Sequence, residues 1–147
     1  MKILFQNKYL LDFLAAIMFF TRIPINWQFF SNKPPNLTRA AWCFPLIGSV
    51  IGIISGILGD ICLFFNLPIF LSCTIAITLS VIITGAFHED GLADMADGFG
   101  AGGSPAKINK IMHDSRLGTY GTVALTLGLL IRLGLVVDLV ELGYPIT

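Results

Sequence analysis

Charge is scarce in this sequence. Nine basic and nine acidic side chains among 147 residues make up 12% of the chain and sum to zero. So low a charge density beside 55% hydrophobic residues excludes a disordered, solvating polymer and places the chain on the membrane side of the compositional classes. Without a net charge there is no overall field to recruit nucleic acid or an acidic partner, and the information lies in where each sign sits. Cysteine is scarce too. Cys43, Cys62 and Cys73 stand singly inside apolar runs, without the close pairing of a zinc or redox site, and read as small packing residues. The amino-terminal stretch lacks the marks of a signal peptide. Asp12 interrupts its apolar run, and Arg22 and Pro24 stand where a small-residue cleavage site belongs, so the start reads as retained.

What is abundant is long apolar sequence. Residues 41–65 ("AWCFPLIGSVIGIISGILGDICLFF") give roughly 37 Å of helix at about 1.5 Å per residue, enough to cross a hydrocarbon core about 30 Å thick. Asp60 near the far end of this first span reads as a carboxylate reaching the interface or another helix. A short "NLP" turn leads into an uncharged second span, residues 67–87, and the two form a helical hairpin. A third span, residues 119–140, carries Arg132 and Asp138 six residues apart. That is too far for mutual neutralisation on one helix, so each is expected to face a neighbour or an interface. Residues 9–23 are apolar but short and charged at both ends, which predicts an interfacial or re-entrant helix. The fold class expected is therefore all-α: a polytopic membrane helix bundle of about three spans, an interfacial helix, and a motif loop at 88–118 containing a short helix.

Lys2, Lys8, Arg22, Lys33 and Arg39 precede the first span and Lys107, Lys110 and Arg116 follow the second, while the turn between them has no basic residue. The positive-inside rule then puts the 88–118 loop in the cytosol. Gly48, Gly52 and Gly56 repeat every four residues in the first span, a spacing that lets another helix approach closely.

The acids concentrate in that loop. Taken as a helix at about 100° per residue, Asp94 and Asp97 lie about 40° and −20° from Asp90, so the three carboxylates share a face and call for a cation. Hard oxygen ligands favour magnesium, manganese or calcium, and magnesium bound by one or two carboxylates together with substrate phosphates is the usual pattern. A solvated acidic loop is the plain alternative. Gly98, Gly100, Gly102 and Gly103 follow, where backbone N–H groups can converge on an anion or simply turn the chain. Ser104 and Pro105 predict a helix start running to about Met112. In "HDSRLGTYG", Arg116 offers a phosphate fork or a membrane anchor, and Asp114 a metal ligand or a support for that arginine. His88 and His113 are proton-transfer candidates or surface histidines.

These two stretches, "FHEDGLADMADGFGAGG" and "IMHDSRLGTYG", together with "FFTRIP" and "AWCFPLIGSVIG" upstream, resemble the cobalamin synthase family, the adenosylcobinamide-GDP ribazoletransferases. The resemblance implies a magnesium-dependent, multi-pass enzyme of the bacterial cytoplasmic (inner) membrane. It implies joining of adenosylcobinamide-GDP to α-ribazole or its 5′-phosphate with release of GMP. It also implies that Glu89, Asp90, Asp94 and Asp97 bind metal, and that Asp114, Ser115 and Arg116, with Gly102 and Gly103, bind substrate. Asp97 or Glu89 is the expected base and Arg116 the expected phosphate-binding catalytic group. Expected partners are the two substrates and the bilayer, with a homo-oligomer or other corrinoid-pathway proteins possible. Family members are longer, so the chain reads as an amino-terminal portion. Two rival readings are a CDP-alcohol-type phosphotransferase, against which "HDSRLGTY" argues, and a transport subunit, which calls for acids at mid-span.

Overall fold

A computed structural model describes residues 7–147, and Lys2 lies outside them. Among the described residues there is no strand. The helices are α1 (Lys8–Phe20), α2 (Leu37–Ala40), α3 (Phe44–Phe64), α4 (Ile69–Thr84), α5 (Phe87–Ala101), α6 (Pro105–Met112) and α7 (Thr119–Glu141). A 3-10 turn at Ala41–Cys43 joins α2 to α3, so that Leu37–Phe64 forms one helical run of 28 residues. Pro45 sits in the first turn of α3, where a missing N–H goes unmissed.

α1 packs along α2 and the start of α3 through small side chains: Ala15 and Ala16 meet Ala40, Cys43 and Ile47. Asp12, the interruption in that apolar face, is buried. Arg39 Nε donates to its Oδ1 at 2.6 Å and Trp42 Nε1 to its Oδ2 at 3.2 Å, so the charge enters the bundle already compensated. α3 and α4 form the hairpin expected from "NLP", turning at Asn66 with a left-handed φ of 60°. Asp60 accepts from the chain's last residues: the backbone N–H of Ile146 donates to it at 2.8 Å, and the Thr147 hydroxyl donates as well.

Among the described residues two helices, Leu37–Phe64 and Thr119–Glu141, are long and apolar enough to cross a membrane, and α4 with α5 passes the same test only as one bent span. The expected second span at 67–87 is shortened. α4 has 16 residues, roughly 24 Å at about 1.5 Å each, and α5 leaves it at 84°. The break is built by two consecutive left-handed residues, Gly85 (φ 66°) and Ala86 (φ 60°). Left-handed backbone costs an alanine about 1–2 kcal/mol, so packing must hold it. Arg22 supplies part of that hold: its N–H donates to the Ile83 carbonyl at 2.8 Å, and its side-chain stem fills the space a Cβ on Gly85 would need.

The 88–118 segment is also more ordered than a loop. α5 and α6 together occupy most of it, and α6 starts where Ser104 and Pro105 predict it, with the Ser104 hydroxyl accepting from Lys107 N at 3.3 Å. α6 packs on α5 where Gly98 admits Met112 and Ile108. α7 returns beside both α5 and α4.

Candidate active site

α5 spreads its acids over different surroundings. Asp90 is exposed and Asp94 half-buried, and among the described residues neither carboxylate has a hydrogen-bond or ion-pair partner. Asp97, in phase with them, is buried and fully engaged: Gly118 N donates to Oδ2 at 2.7 Å and Gly121 N to Oδ1 at 2.8 Å. These N–H groups flank the start of α7 and have no acceptor within that helix, so Asp97 caps α7 from another helix and sets its charge against the positive end of the dipole. A Cβ at Gly118 or Gly121 would strike this carboxylate, which explains glycine at both positions.

Glu89 turns the other way, into the bundle. Its Oε1 lies 3.6 Å from Arg132 Nη1, and its Oε2 is buried with no partner among the described residues. Arg132 also donates from Nη2 to Ser80 Oγ at 2.9 Å, so the guanidinium of α7 faces α4 and α5, as its isolation on an apolar helix predicts. Asp138, its companion in that span, is exposed. His88 stacks on Phe20, with ring centroids 5.8 Å apart and planes 4° from parallel, beside Phe87. His113 Nδ1 lies 2.8 Å from the Asn109 carbonyl.

The second motif forms a turn between α6 and α7. Asp114 grips Arg116 through both carboxylate oxygens, with Nη2 to Oδ2 at 2.7 Å and Nε to Oδ1 at 3.1 Å, and accepts from the Arg116 backbone N–H at 3.2 Å. The pairing holds the Asp114 carboxyl below its ordinary value and raises Arg116 further. The Arg116 side chain remains 87% exposed, so its orientation is set while its other donors stay accessible. Ser115 is exposed beside it. Asp97, Asp114, Arg116 and Tyr120 line a shallow cavity of about 400 Å³. Gly102 and Gly103, at φ 61° and 115°, make the turn from α5 to α6, and the Lys107 stem crosses Gly103.

The residues fit a magnesium ion only in part. Among the described residues no three His, Cys, Asp or Glu side chains converge on a common metal position. Asp97 is spent on α7 and Glu89 faces Arg132, so the four acids do not form one shell. Asp90 and Asp94, one turn apart and unpartnered, match the pattern in which one or two carboxylates hold magnesium and phosphates complete it. Reading from sequence missed Arg22 at the α4–α5 break and the Glu89–Arg132 contact. The uncompensated Arg132 in an apolar helix was the available signal for the second.

Residues 12–147 match the cobalamin-5-phosphate synthase family. The chain is 46% identical over 126 residues to the adenosylcobinamide-GDP ribazoletransferase of Xanthobacter autotrophicus, covering 82% of this chain and 47% of that protein. It is 40% identical over 140 residues to that of Azorhizobium caulinodans (94% and 53%) and 42% identical over 139 residues to that of Clostridium botulinum (92% and 54%). The chain thus spans about half the length of the curated relatives it matches, and no solved structure matches it. A family match reaching from α1 through both polar motifs to the last residue makes this chain a member of the cobalamin-5-phosphate synthase family.

Proposed function

We propose that this chain carries the metal- and phosphate-binding half of an adenosylcobinamide-GDP ribazoletransferase, acting at the cytosolic face of the inner membrane. In that reaction a hydroxyl oxygen of α-ribazole, or of its 5′-phosphate, attacks the phosphorus joined to cobinamide. The bond from that phosphorus to the bridging oxygen breaks, GMP leaves with the bond's electron pair, and the hydroxyl proton passes to a base. Such a transfer depends chiefly on positioning and on neutralising charge at the phosphoryl oxygens.

The observation that carries this reading is the division of labour along α5: two free carboxylates on one stretch, and one carboxylate fastening the turn that presents Arg116. Asp90 and Asp94 would hold magnesium, which when bound supplies charge neutralisation to the pyrophosphate. Arg116, oriented by Asp114, binds a phosphoryl oxygen, and Ser115 offers a further hydroxyl donor. Asp97 positions Arg116 by anchoring Gly118 two residues on.

The test is GMP release from adenosylcobinamide-GDP in membranes carrying the chain, with and without α-ribazole. Release should require α-ribazole, and Asp94→Asn should shift the magnesium requirement upward by about tenfold or more. Full activity of Asp94→Asn at limiting magnesium would remove the metal assignment.

A further inference from the structure

Where Glu89 of α5 faces α7, a polar groove runs into the apolar helices. Gly48 and Gly52 of α3, Ser80 and Thr84 of α4, Glu89 of α5 and Arg132 of α7 line a cavity of about 270 Å³. Through Gly52, Ser80 and Arg132 it continues into a second space of about 130 Å³ that Ser55 lines. We propose that this groove binds a primary carboxamide, carried as a side arm on a larger amphipathic ligand.

Three observations define the occupant. The floor is empty: a Cβ on Gly48 or Gly52 would meet nothing within 4 Å, whereas Gly56 and Gly59 in the same stripe are covered by Ile146 and Thr147. The walls hold unused hydrogen-bonding capacity. Ser55 is 4% exposed with an unpartnered Oγ, and Glu89 Oε2 is buried and unpartnered among the described residues. A buried acceptor in that condition calls for a donor from outside. Finally, the groove is neutral as a whole but presents both signs side by side. Arg132 and Glu89 lie 3.6 Å apart, too far for a closed hydrogen bond.

A phosphate would be repelled by Glu89, and a cation by Arg132. A primary carboxamide satisfies both, its carbonyl oxygen accepting from the guanidinium and its NH₂ donating to Glu89 Oε2. The volume suits a side arm and not a macrocycle. Cobinamide bears several such arms, so the choice of ligand rests on the ribazoletransferase reading, while the chemistry of the groove does not.

Dicyanocobinamide, which has neither nucleotide nor pyrophosphate, isolates this contact. Its binding to the chain in lipid nanodiscs is measured by dialysis and visible absorbance. Gly52→Leu fills the floor from a position where a Cβ meets nothing within 4 Å, and a thermal melt confirms that it folds. We expect Gly52→Leu to weaken cobinamide binding by at least about tenfold, and cobinamide whose side amides are hydrolysed to carboxylates to bind the unsubstituted chain weaker by a similar factor. Wild-type affinity in Gly52→Leu, equal binding of amide and carboxylate corrinoids, or no cobinamide binding at all would each overturn the carboxamide site. GMP release is measured on the same preparations. Release with groove-independent corrinoid binding discards the groove and leaves the transferase. Groove-dependent binding without release discards the transferase and leaves the groove.

Discussion

Arg116 and Arg132 lie sixteen positions apart, one just before α7 and one inside it, and the chain treats them in opposite ways. Arg116 is gripped by Asp114 through three side-chain hydrogen bonds and still stands 87% exposed. Arg132 is 47% exposed, sits among apolar residues, and has one hydrogen bond to Ser80 and a loose approach to Glu89. A surface pair such as Asp114–Arg116 adds little stability, which points to orientation as its use. Inside the helices the economy reverses. A guanidinium left loosely paired there destabilises, and such groups in membrane proteins mark places where something else binds. On the proposed reading, one arginine is prepared for an anion arriving from water, the other for a partner that brings both a donor and an acceptor.

That contrast can be broken in order of size. Arg116→Met should lower transfer by about 100-fold, the loss typical of one donor aimed at developing charge, with the thermal midpoint unchanged. A falling midpoint would instead make Arg116 structural. Asp97→Asn leaves one acceptor for two N–H groups and sets an amide NH₂ against the other. A loss of about 2 kcal/mol, read by denaturation in detergent, should accompany faster hydrogen exchange at Gly118 and Gly121. Unchanged exchange there would rule out the clamp. Arg132→Met should cost about 1 kcal/mol, since half-exposure screens part of the penalty for stranding Glu89, and adding Glu89→Gln should recover it. Additive losses in the double variant would show that the two side chains do not communicate. The smallest effect is with pH. Arg116 holds the Asp114 carboxyl below its ordinary value, so the tie is complete above that value and is lost only as pH falls through the lowered one. Mild acidification should leave Arg116-dependent substrate affinity flat, and an early fall in that affinity would contradict the pairing.

Much of this was legible in the sequence, for reasons that differ by element. The hairpin and the Thr119–Glu141 helix follow from long apolar runs, and α6 from Ser104 and Pro105, because burial and capping are local properties. The shortened α4 was not legible. "ITGAFHED" continues the apolar run through Phe87, and only the left-handed Gly85 and Ala86, held by Arg22 from a distant segment, end the helix at Thr84. The acids were read correctly as lying in phase on a helix. Phase alone did not reveal that Asp97 meets the N–H groups of Gly118 and Gly121, more than twenty residues on. Nor did it turn Glu89 toward Arg132: a helical wheel orders side chains around one axis and is silent about which neighbour each will find.

The 84° turn between α4 and α5 sets a direction of travel. Had α5 continued the line of α4, its acids would have projected away from the bundle toward water. Turned nearly perpendicular to α4, it leaves Asp90 exposed and points Glu89, about 100° around the helix, toward Arg132 of α7. On the proposed reading, a ligand that met both would wrap about a quarter-turn of α5, from an exposed carboxylate into a groove between apolar helices. Loading would then be sensitive to lipid composition as well as to substrate concentration in solution.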